Sequence, residues 1–329
     1  MKIWGKENID QNTIDQFNEV MNMDVVIDGA LMADAHLGYG MPIGGVAATL
    51  NEVMPFAVGF DIGCRMRLSV IEGDFTQADI FRALGSETRF GVGCTFDPPK
   101  DHPVLEEDWG DLRDLAWRQL GTSGSGNHFV DFGKVGERWA ILSHSGSRGV
   151  GHKTCQKYIK HDWLSLDTDL GKAYWNEMHL CGRYAEANHE VIHDSLIKSL
   201  GARLIEKVEN HHNFAWREGG LIVHRKGATP AGRGVLGVIP GTMATPAYVV
   251  RGKGVKESLY SAAHGAGRLM SRKEARRSLT KPEMDITLLG AGLDEMPGAY
   301  KDIETVMSAQ RDLVEVIGKF HPKIVRMAQ

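Results

Sequence analysis

Glycine recurs along this chain far more often than in an average protein, and it does so without a regular period. The sequence contains 39 glycines among 329 residues, against a typical share of roughly 7%. Because glycine adopts left-handed backbone conformations at little cost, it marks tight turns and places where the backbone approaches a ligand closely. The chain is therefore predicted to be globular, with many tight turns and close backbone approaches to a ligand.

The overall composition is that of an ordinary globular protein, long enough for one large domain or two smaller ones. Hydrophobic residues make up 42% and charged residues 24%, and the formal net charge is −4. Proteins that bind nucleic acid non-specifically are often basic overall. Any contact with a polyanion would therefore depend on a local basic patch or a metal site.

The cysteines and the amino terminus indicate the compartment. Four cysteines lie at positions 64, 94, 155 and 181, without a CxxC pair or a disulfide framework. The first residues, MKIWGKENIDQ, lack the apolar run of a signal peptide, and no segment approaches about 18 consecutive apolar residues. These features predict a soluble, cytoplasmic protein with reduced thiols and no membrane association.

Hydrophobic periodicity and turn residues indicate short strands among longer helices. Helices are predicted at 12–22, 76–84, about 170–210, 271–279 and about 302–319. Strands are predicted at 24–33, 44–50, 137–143, 220–224 and 234–239, with two apolar runs within 55–72 flanking a turn at Asp61–Cys64. Gly201 could interrupt or end the longest helix. Because no clean βαβ repetition is present, the pattern favours one α/β or α+β domain.

Several of the 14 histidines lie beside glycine, asparagine or serine instead of within apolar stripes. The contexts are Gly-Asn-His at 126–128, Ser-His-Ser-Gly-Ser-Arg at 143–148, His-His-Asn at 211–213 and His-Gly-Ala-Gly-Arg at 264–268, with Asp-Ile-Gly-Cys at 61–64. Imidazole, thiolate and carboxylate together can bind Zn²⁺ or Mn²⁺, and oxygen ligands favour the harder ion. A single histidine is more often a hydrogen-bonding residue than a ligand, so only the joint pattern favours a metal site.

The segment 261–268, SAAHGAGR, suggests a phosphate site. Gly265 and Gly267 remove side chains beside His264, so a phosphate could approach the backbone. Arg268 could bind it through two hydrogen bonds, and a neutral imidazole is a competent nucleophile toward phosphorus. A tight strand-to-helix turn with a capping histidine explains the same local pattern equally well.

Positive charge is concentrated at two further places. Arg148 follows Ser-Gly-Ser, a plausible anion nest. Arg225 and Lys226 precede a basic run at 268–277. Such a run is by default a solvated face.

Residues 189–193, His-Glu-Val-Ile-His, match the zinc-protease pattern H-E-x-x-H. On a helix, His189 and His193 would share one face, with Glu190 beside them as a base. Three fixed residues match easily by chance in a histidine-rich chain. A helix with partly exposed histidines is therefore favoured over a protease.

Read in order, these pieces resemble the RtcB-type RNA ligases over almost the whole chain. The matching blocks are ADAHLGYGMPIGG (33–45), GFDIGCRMRL (59–68), GSGNHFVDF (124–132), SHSGSRGVGH (143–152), HHNFAW (211–216), HRKGATPA (224–231), PGTMATPAYVV (240–250), SAAHGAGRLMSRKEA (261–275) and DEMPGAYKDI (294–303). The resemblance implies an α+β fold, one domain over 1–329 with mixed sheets flanked by helices around a central metal site.

The resemblance also implies roles for individual residues. His264 stands at the histidine that becomes guanylylated, and Asp34 at a motif aspartate that supports the site. The implied manganese ligands are Asp61, Cys64, His128, His144 and His212. The implied nucleotide or phosphate contacts are Asn127, Arg148, Lys226, Pro240, Thr242, Ser258, Gly265, Gly267, Arg268, Tyr300 and Arg326.

The implied cofactors are two Mn²⁺ ions and GTP. The implied substrate is RNA with a 3′-phosphate or 2′,3′-cyclic phosphate and a 5′-hydroxyl, as in tRNA splicing or RNA repair, with a possible activating protein. His264 would attack the GTP α-phosphate, and two metal ions suit a reaction in which charge develops on the attacking and leaving oxygens.

The chain departs from the family pattern in the expected nucleotide pocket. It is shorter between Cys64 and His128, Asp131 stands where glutamate is expected, and the 240–247 loop carries Thr242, Ala244 and Pro246 in place of serine, glycine and serine. Arg326, or Lys323 in another register, replaces a lysine that reads guanine, and the two residue types are not interchangeable at a recognition site. These departures motivate an alternative, a metal-dependent RNA phosphoesterase that does not ligate.

Overall fold

The computed structural model describes residues 1–328, which form helices and many short strands. The helices are α1 (Gln11–Met21), α2 (Pro55–Val58), α3 (Gln77–Glu87), α4 (Arg113–Gln119), α5 (Arg148–Tyr158), α6 (Asp169–Ser199), α7 (Arg272–Ser278) and α8 (Ile303–Ala309). The strands are β1 (Lys2–Ile3), β2 (Val26–His36), β3 (Ile43–Thr49), β4 (Glu52–Val53), β5 (Arg65–Glu72), β6 (Phe129–Val135), β7 (Arg138–Ser145), β8 (Leu164–Ser165), β9 (Arg203–His211), β10 (Asn213–Glu218), β11 (Leu221–Lys226), β12 (Ala228–Pro230), β13 (Leu236–Ile239), β14 (Ala247–Gly252), β15 (Ser261–Ala263), β16 (Thr287–Leu289) and β17 (Val314–Met327). The predicted α+β class, with mixed sheets flanked by helices, is confirmed.

Two large sheets organise the described strands. The larger has eight strands, with β13, β14, β17, β6, β7, β5 and β9 adjacent in that order and β16 beside β17. The smaller has five, in the order β1, β2, β3, β11 and β10. Most neighbours are antiparallel, so the start of one strand and the end of the next meet at one edge.

Apolar side chains cover both faces of the larger sheet. On one face, Ile141 packs with Ile192 of the long helix α6. On the other face, Leu68 and Leu142 pack with Val238 of β13, because the sheet curves until β13 approaches β9. Burial on both faces makes the sheet a rigid base for groups carried at its edge.

The longest helix ends at Ser199, eleven residues before the predicted boundary near 210. Gly201 has a left-handed φ of 59 degrees, and Ala202 N donates to Ile197 O at 3.0 Å. Glycine in this conformation closes a helix by satisfying its last carbonyls. The residues that follow pair along β5 as β9, so the helix prediction is wrong for 203–210.

The predicted amphipathic helix at 302–319 is also largely wrong. Only α8 is helical in that segment, and β17 begins at Val314. The sequence Val-Glu-Val-Ile-Gly-Lys-Phe contains β-branched residues that pair with β14, and the rest of β17 pairs with β6. Sheet pairing at the centre of the fold outweighs the weak local preference for helix.

The apolar run before Asp61 forms a short helix. Pro55 occupies the first turn of α2, where its missing N–H costs nothing, and Gly59 ends the helix with a φ of 89 degrees.

Among the described residues, none of the helices is both long and apolar enough to cross a membrane. The single-domain prediction over 1–329 stays a prediction, and Gln329 lies outside the described residues.

Candidate active site

Four neighbouring strands of the larger sheet bring the predicted metal ligands to one edge. Cys64 and His128 immediately precede β5 and β6, His144 lies near the end of β7, and His212 follows β9. Because β6, β7, β5 and β9 are antiparallel neighbours, two strand starts and two strand ends meet there. Residues far apart in sequence therefore become adjacent.

Their ligand atoms converge. Cys64 Sγ lies 3.1 Å from His144 Nε2 and 3.6 Å from His128 Nε2. His144 Nε2 is 3.2 Å from His212 Nε2, and His128 Nε2 is 2.9 Å from Asp61 Oδ2. The atoms form two groups, Cys64 with His144 and His212, and Cys64 with Asp61 and His128. Cys64 belongs to both groups, so its thiolate would be available to a cation held by either. These five residues are named here the metal cluster.

Backbone carbonyls set the orientation of two of these histidines. Nδ1 of His128 lies 3.1 Å from Ser123 O, and Nδ1 of His144 lies 3.1 Å from Asn127 O. A carbonyl oxygen can only accept, so Nδ1 carries the proton and Nε2 presents its lone pair to the centre. Several lone pairs facing one another repel unless a cation lies between them, and this donor set suits Mn²⁺ or Zn²⁺.

Burial and neighbouring charges shape the protonation of the site. Burial lowers the pKa of His144 to about 3 and that of His212 well below its usual value, so both rings are neutral and able to bind a cation. Burial alone would raise the pKa of Asp61, but with no cation bound, the charge of His128 in its cationic form and its Nε2–H hydrogen bond lower that pKa below its usual range; a bound cation would take the place of this proton. Burial and the Asp61 charge raise the pKa of Cys64, and a bound cation would favour its thiolate.

His264 lies next to this cluster and is held by a buried carboxylate. Its ring centroid is 4.8 Å from that of His212. Its Nδ1 is 2.7 Å from Oδ2 of Asp34, a residue with no exposed surface. The same oxygen accepts from the backbone N–H groups of His264 and Gly265, at 3.2 and 3.3 Å. With Nδ1–H donated to Asp34, Nε2 is the nitrogen left with a lone pair.

A cavity of about 390 Å³ opens over both groups, a size typical of small-molecule sites. Asp61, Cys64, His144, His212 and His264 line it. Of the predicted nucleotide residues, the cavity lining includes Asn127, Pro240, Thr242, Gly265, Gly267, Arg268 and Tyr300.

Comparison with known proteins assigns the family. The sequence profile described as "tRNA-splicing ligase RtcB" matches residues 16–95 and 107–328. The chain belongs to the RtcB family. The RNA-splicing ligase RtcB of Escherichia coli (strain K12) is 31% identical, over 88% of this chain and 87% of its own length. The tRNA-splicing ligase RtcB of Methanococcus maripaludis is 27% identical, over 93% of this chain and 89% of its own length.

The match to the RtcB family includes every residue of the metal cluster and of the cavity named above. Among the described residues, the unmatched segments 1–15 and 96–106 lie outside the cavity lining. The family match therefore spans the candidate active site.

Four residues assigned to the nucleotide through the RtcB resemblance lie outside the cavity lining. Ser258 Oγ donates to Val255 O at 3.0 Å and accepts from Ser261 N at 3.1 Å, so it closes a turn. Arg326 donates to Leu84 O and covers the Phe90 ring. Neither side chain contributes to the cavity lining in this structure, so their assignment to the nucleotide stays a prediction.

The other two are Lys226 and Arg148. Lys226 Nζ is largely buried and donates to Phe56 O at 3.0 Å and to Tyr39 O, so it connects helix α2 to the loop that contains Tyr39. Nη1 of Arg148 lies 3.2 Å from Nδ1 of His128, directly behind the metal cluster. Arg148 Nε is buried without a partner among the described residues, so this cation remains available to an anion at the cluster.

The rim of the cavity contains an ion-pair cluster that the sequence reasoning missed. Arg268 Nη2 donates to Asp294 O at 2.7 Å, and Arg272 Nη1 lies 2.8 Å from Asp294 Oδ2. Glu295, which is 3% exposed, accepts from Tyr300 and Arg272. Both acidic residues lie in the block DEMPGAYKDI, in which only Tyr300 was predicted to be a site residue. The two carboxylates fix the positions of the arginines along the cavity.

The His-Glu-Val-Ile-His segment is neither a zinc site nor a pair of partly exposed histidines. His189 and His193 are fully buried, and Ser143 Oγ lies 2.7 Å from a ring nitrogen of each. Glu190 points the other way, with Oε2 3.2 Å from His102 Nε2. The pair of histidines therefore joins α6 to the strand that carries His144.

Proposed function

We propose that this chain is an RNA ligase that joins a 3′-phosphate or 2′,3′-cyclic phosphate end to a 5′-hydroxyl end, using Mn²⁺ and GTP through a His264–GMP intermediate. Relatives named as RNA-splicing and tRNA-splicing ligases support the RNA ligase activity. The observation that carries the proposal is the placement of His264 beside His212, with Nδ1 held by Asp34.

The chemistry follows from this arrangement. Nε2 of His264 attacks the α-phosphorus of GTP, a P–N bond forms, a P–O bond breaks, and pyrophosphate leaves. An oxygen of the RNA 3′-phosphate then attacks the same phosphorus, which transfers GMP to the RNA and frees His264. The 5′-hydroxyl attacks the activated 3′-phosphate, and GMP leaves.

Mn²⁺ would be held by the five residues of the two groups, Asp61, Cys64, His128, His144 and His212. When bound, it supplies positive charge to the phosphoryl oxygens as charge develops on them. Asp34 keeps the proton of His264 on Nδ1 throughout, which maintains Nε2 as the attacking atom.

Several cavity residues suit the nucleotide. Arg268 and Asn127 provide donors for phosphate oxygens, and the Tyr300 ring, with the Arg268 guanidinium 5.0 Å from its centroid, provides a flat face for a base. Asp131 lines the cavity, and its Oδ1 is buried without a partner among the described residues, so it can accept from a ribose hydroxyl.

The test is covalent labelling. The purified chain with Mn²⁺ and GTP labelled at the α-phosphate should acquire an acid-labile label, and His264→Ala should acquire none. His321→Ala, which removes an exposed histidine, is the matched control and should label normally. Absence of label on folded, metal-loaded wild type would refute the guanylylated histidine.

A phosphoesterase without ligation is the second candidate. It is favoured by the position of Ser258 and Arg326 outside the cavity lining, which reduces the contacts available to guanine. Conversion of a cyclic-phosphate RNA to the 3′-phosphate, without joined product and without GMP label, would identify it.

A further inference from the structure

Three aromatic rings lie side by side on the surface beside the metal cluster. Phe60 stacks on His152, with ring centroids 5.2 Å apart and an interplanar angle of 29 degrees. Tyr39 contacts Phe60 at 5.8 Å and 60 degrees, edge to face. Tyr39 is 61% exposed and His152 is exposed, whereas Phe60 packs partly against the core. The group, named here the aromatic platform, is anchored by Phe60 and open to solvent.

The aromatic platform adjoins the candidate active site on two sides. Phe60 immediately precedes Asp61, a member of the metal cluster. His152 lies four residues after Arg148, which begins α5 and contacts His128. The Tyr39 loop is fixed because Lys226 donates to Tyr39 O. A nucleotide stacked on the platform would therefore lie within reach of the reacting ends.

Two exposed lysines lie close in sequence to His152 of the aromatic platform. Lys153 is exposed on α5 beside His152, and Lys160 is exposed just beyond the end of that helix. Lys157, between them, pairs with Glu177 at 2.6 Å. Open aromatic faces beside free cations are the combination that binds single-stranded nucleic acid, since bases stack on the rings and phosphates contact the cations.

We propose that Tyr39, Phe60 and His152 bind the RNA strand ends, by stacking a base adjacent to the ends that are joined. The proposal rests on the proposed RNA ligase function and names a base-binding surface outside the cavity. The occupant is single-stranded RNA, because a base must be unpaired and turned outward to stack on a protein ring.

The test is binding of single-stranded RNA of about ten nucleotides to the full-length, Mn²⁺-loaded chain without GTP. One RNA carries 2-aminopurine next to a 3′-phosphate and another carries it next to a 5′-hydroxyl, and its fluorescence is quenched on stacking. Tyr39→Ala should weaken binding of at least one RNA by about five- to tenfold and reduce the quenching. Tyr39→Phe, which keeps the ring, should bind like wild type.

An abasic nucleotide at the probe position separates stacking from other effects. Wild type and Tyr39→Ala should bind the abasic RNA equally, because the variant loses only the base contact. Trp117→Ala removes an exposed ring among acidic residues and should leave binding unchanged. Equal affinity of wild type and Tyr39→Ala for both base-bearing RNAs would overturn the proposal, as would an equal loss with abasic RNA. Failure of the proposed ligase would be recognised separately, as missing GMP label on wild type.

Discussion

At the scale of single residues, the contact between His264 and Asp34 sets the tautomer of the His264 ring. The carboxylate is fully buried and receives His264 Nδ1 and two backbone N–H groups through one oxygen. A carboxylate that only accepts leaves a single tautomer of the ring. In the proposed mechanism, the attacking nitrogen is therefore selected before any nucleotide binds.

Asp34→Asn should abolish that selection, because an amide can present its N–H group to the ring. We expect GMP labelling of His264 to fall by at least about a hundredfold, as for other histidines that lose the carboxylate fixing their tautomer. Quantified label per folded protein measures the effect. Asp28→Asn, on the exposed part of the same strand, should label normally, and equal losses in both variants would contradict the assignment.

Burial of the Lys226 ammonium group makes the free energy of unfolding depend on pH. Burial lowers its pKa to about 8 from the usual 10.5, so above about pH 8 the folded chain loses a proton that the unfolded chain retains. The free energy of unfolding therefore rises with pH in this window. Relative to Lys226→Met, wild type should gain roughly 2 kcal/mol between about pH 7 and pH 10.

Denaturant unfolding of both proteins at the two pH values measures this difference. Lys253→Met is the control, since Lys253 also donates to a carbonyl, Arg311 O at 2.6 Å, but is exposed. A difference between wild type and Lys226→Met that stays constant or shrinks with rising pH would show that Lys226 remains charged in the folded protein.

At the scale of elements, helix α6 supports the metal cluster from behind. Asn188 Nδ2 donates to Thr122 O at 3.0 Å and to Ser145 Oγ at 3.2 Å, and its Oδ1 accepts from Gly121 N at 2.8 Å. Ser145 Oγ donates to Ser123 O, the carbonyl that orients His128. One asparagine thus connects the helix to the loop that positions a ligand.

Asn188→Ala should loosen this loop and leave buried polar groups without partners. We expect the free energy of unfolding to fall by about 1–3 kcal/mol and Mn²⁺ affinity to fall about tenfold, as when groups supporting metal ligands are removed. Denaturant unfolding and calorimetric titration with Mn²⁺ measure the two effects. Asp194→Ala, exposed on the same helix, is the control. A lower free energy of unfolding with unchanged Mn²⁺ affinity would show that Asn188 stabilises the fold without supporting the metal ligands.

At the scale of the whole molecule, the metal cluster links distant parts of the chain. Its ligands come from the 61–64 turn, from the residue before β6, from β7 and from the residue after β9. A cation that binds only when these segments are assembled stabilises the folded state through its own affinity. Cys64 belongs to both groups, so it couples the two sites.

Mn²⁺ should therefore raise the stability of wild type and not that of Cys64→Ala. At about a hundredfold excess over Kd, each occupied site adds about 2.7 kcal/mol to the free energy of unfolding. Thermal melts with Mn²⁺ and after chelation, with metal analysis, measure this. Cys94→Ala, which removes a cysteine outside both groups, should respond like wild type. An equal response of Cys64→Ala would show that the sulfur is not a shared ligand.

Local sequence predicted several elements well, for physical reasons that act within a few residues. Helix α3 lies near its predicted position, and in the structure Thr76 and Asp79 form a reciprocal cap at its start. Gly201 marked a possible end of α6, and its left-handed conformation provides that end. The segment after Val314 was wrongly predicted to be a helix. Its strand conformation depends on pairing with β14 and β6, which are distant in sequence and leave no local signal.

The sequence by itself determined the residue types of the site and the family, because thiol, imidazole and glycine-flanked motifs are local and chemically specific. Only the tertiary structure decided which of them meet. Antiparallel pairing brings Cys64, His128, His144 and His212 to one edge, and the same packing directs Ser258 and Arg326 into bonds away from the cavity. Distances between side chains depend on strand order and packing, and these arise from contacts between segments that no local pattern encodes.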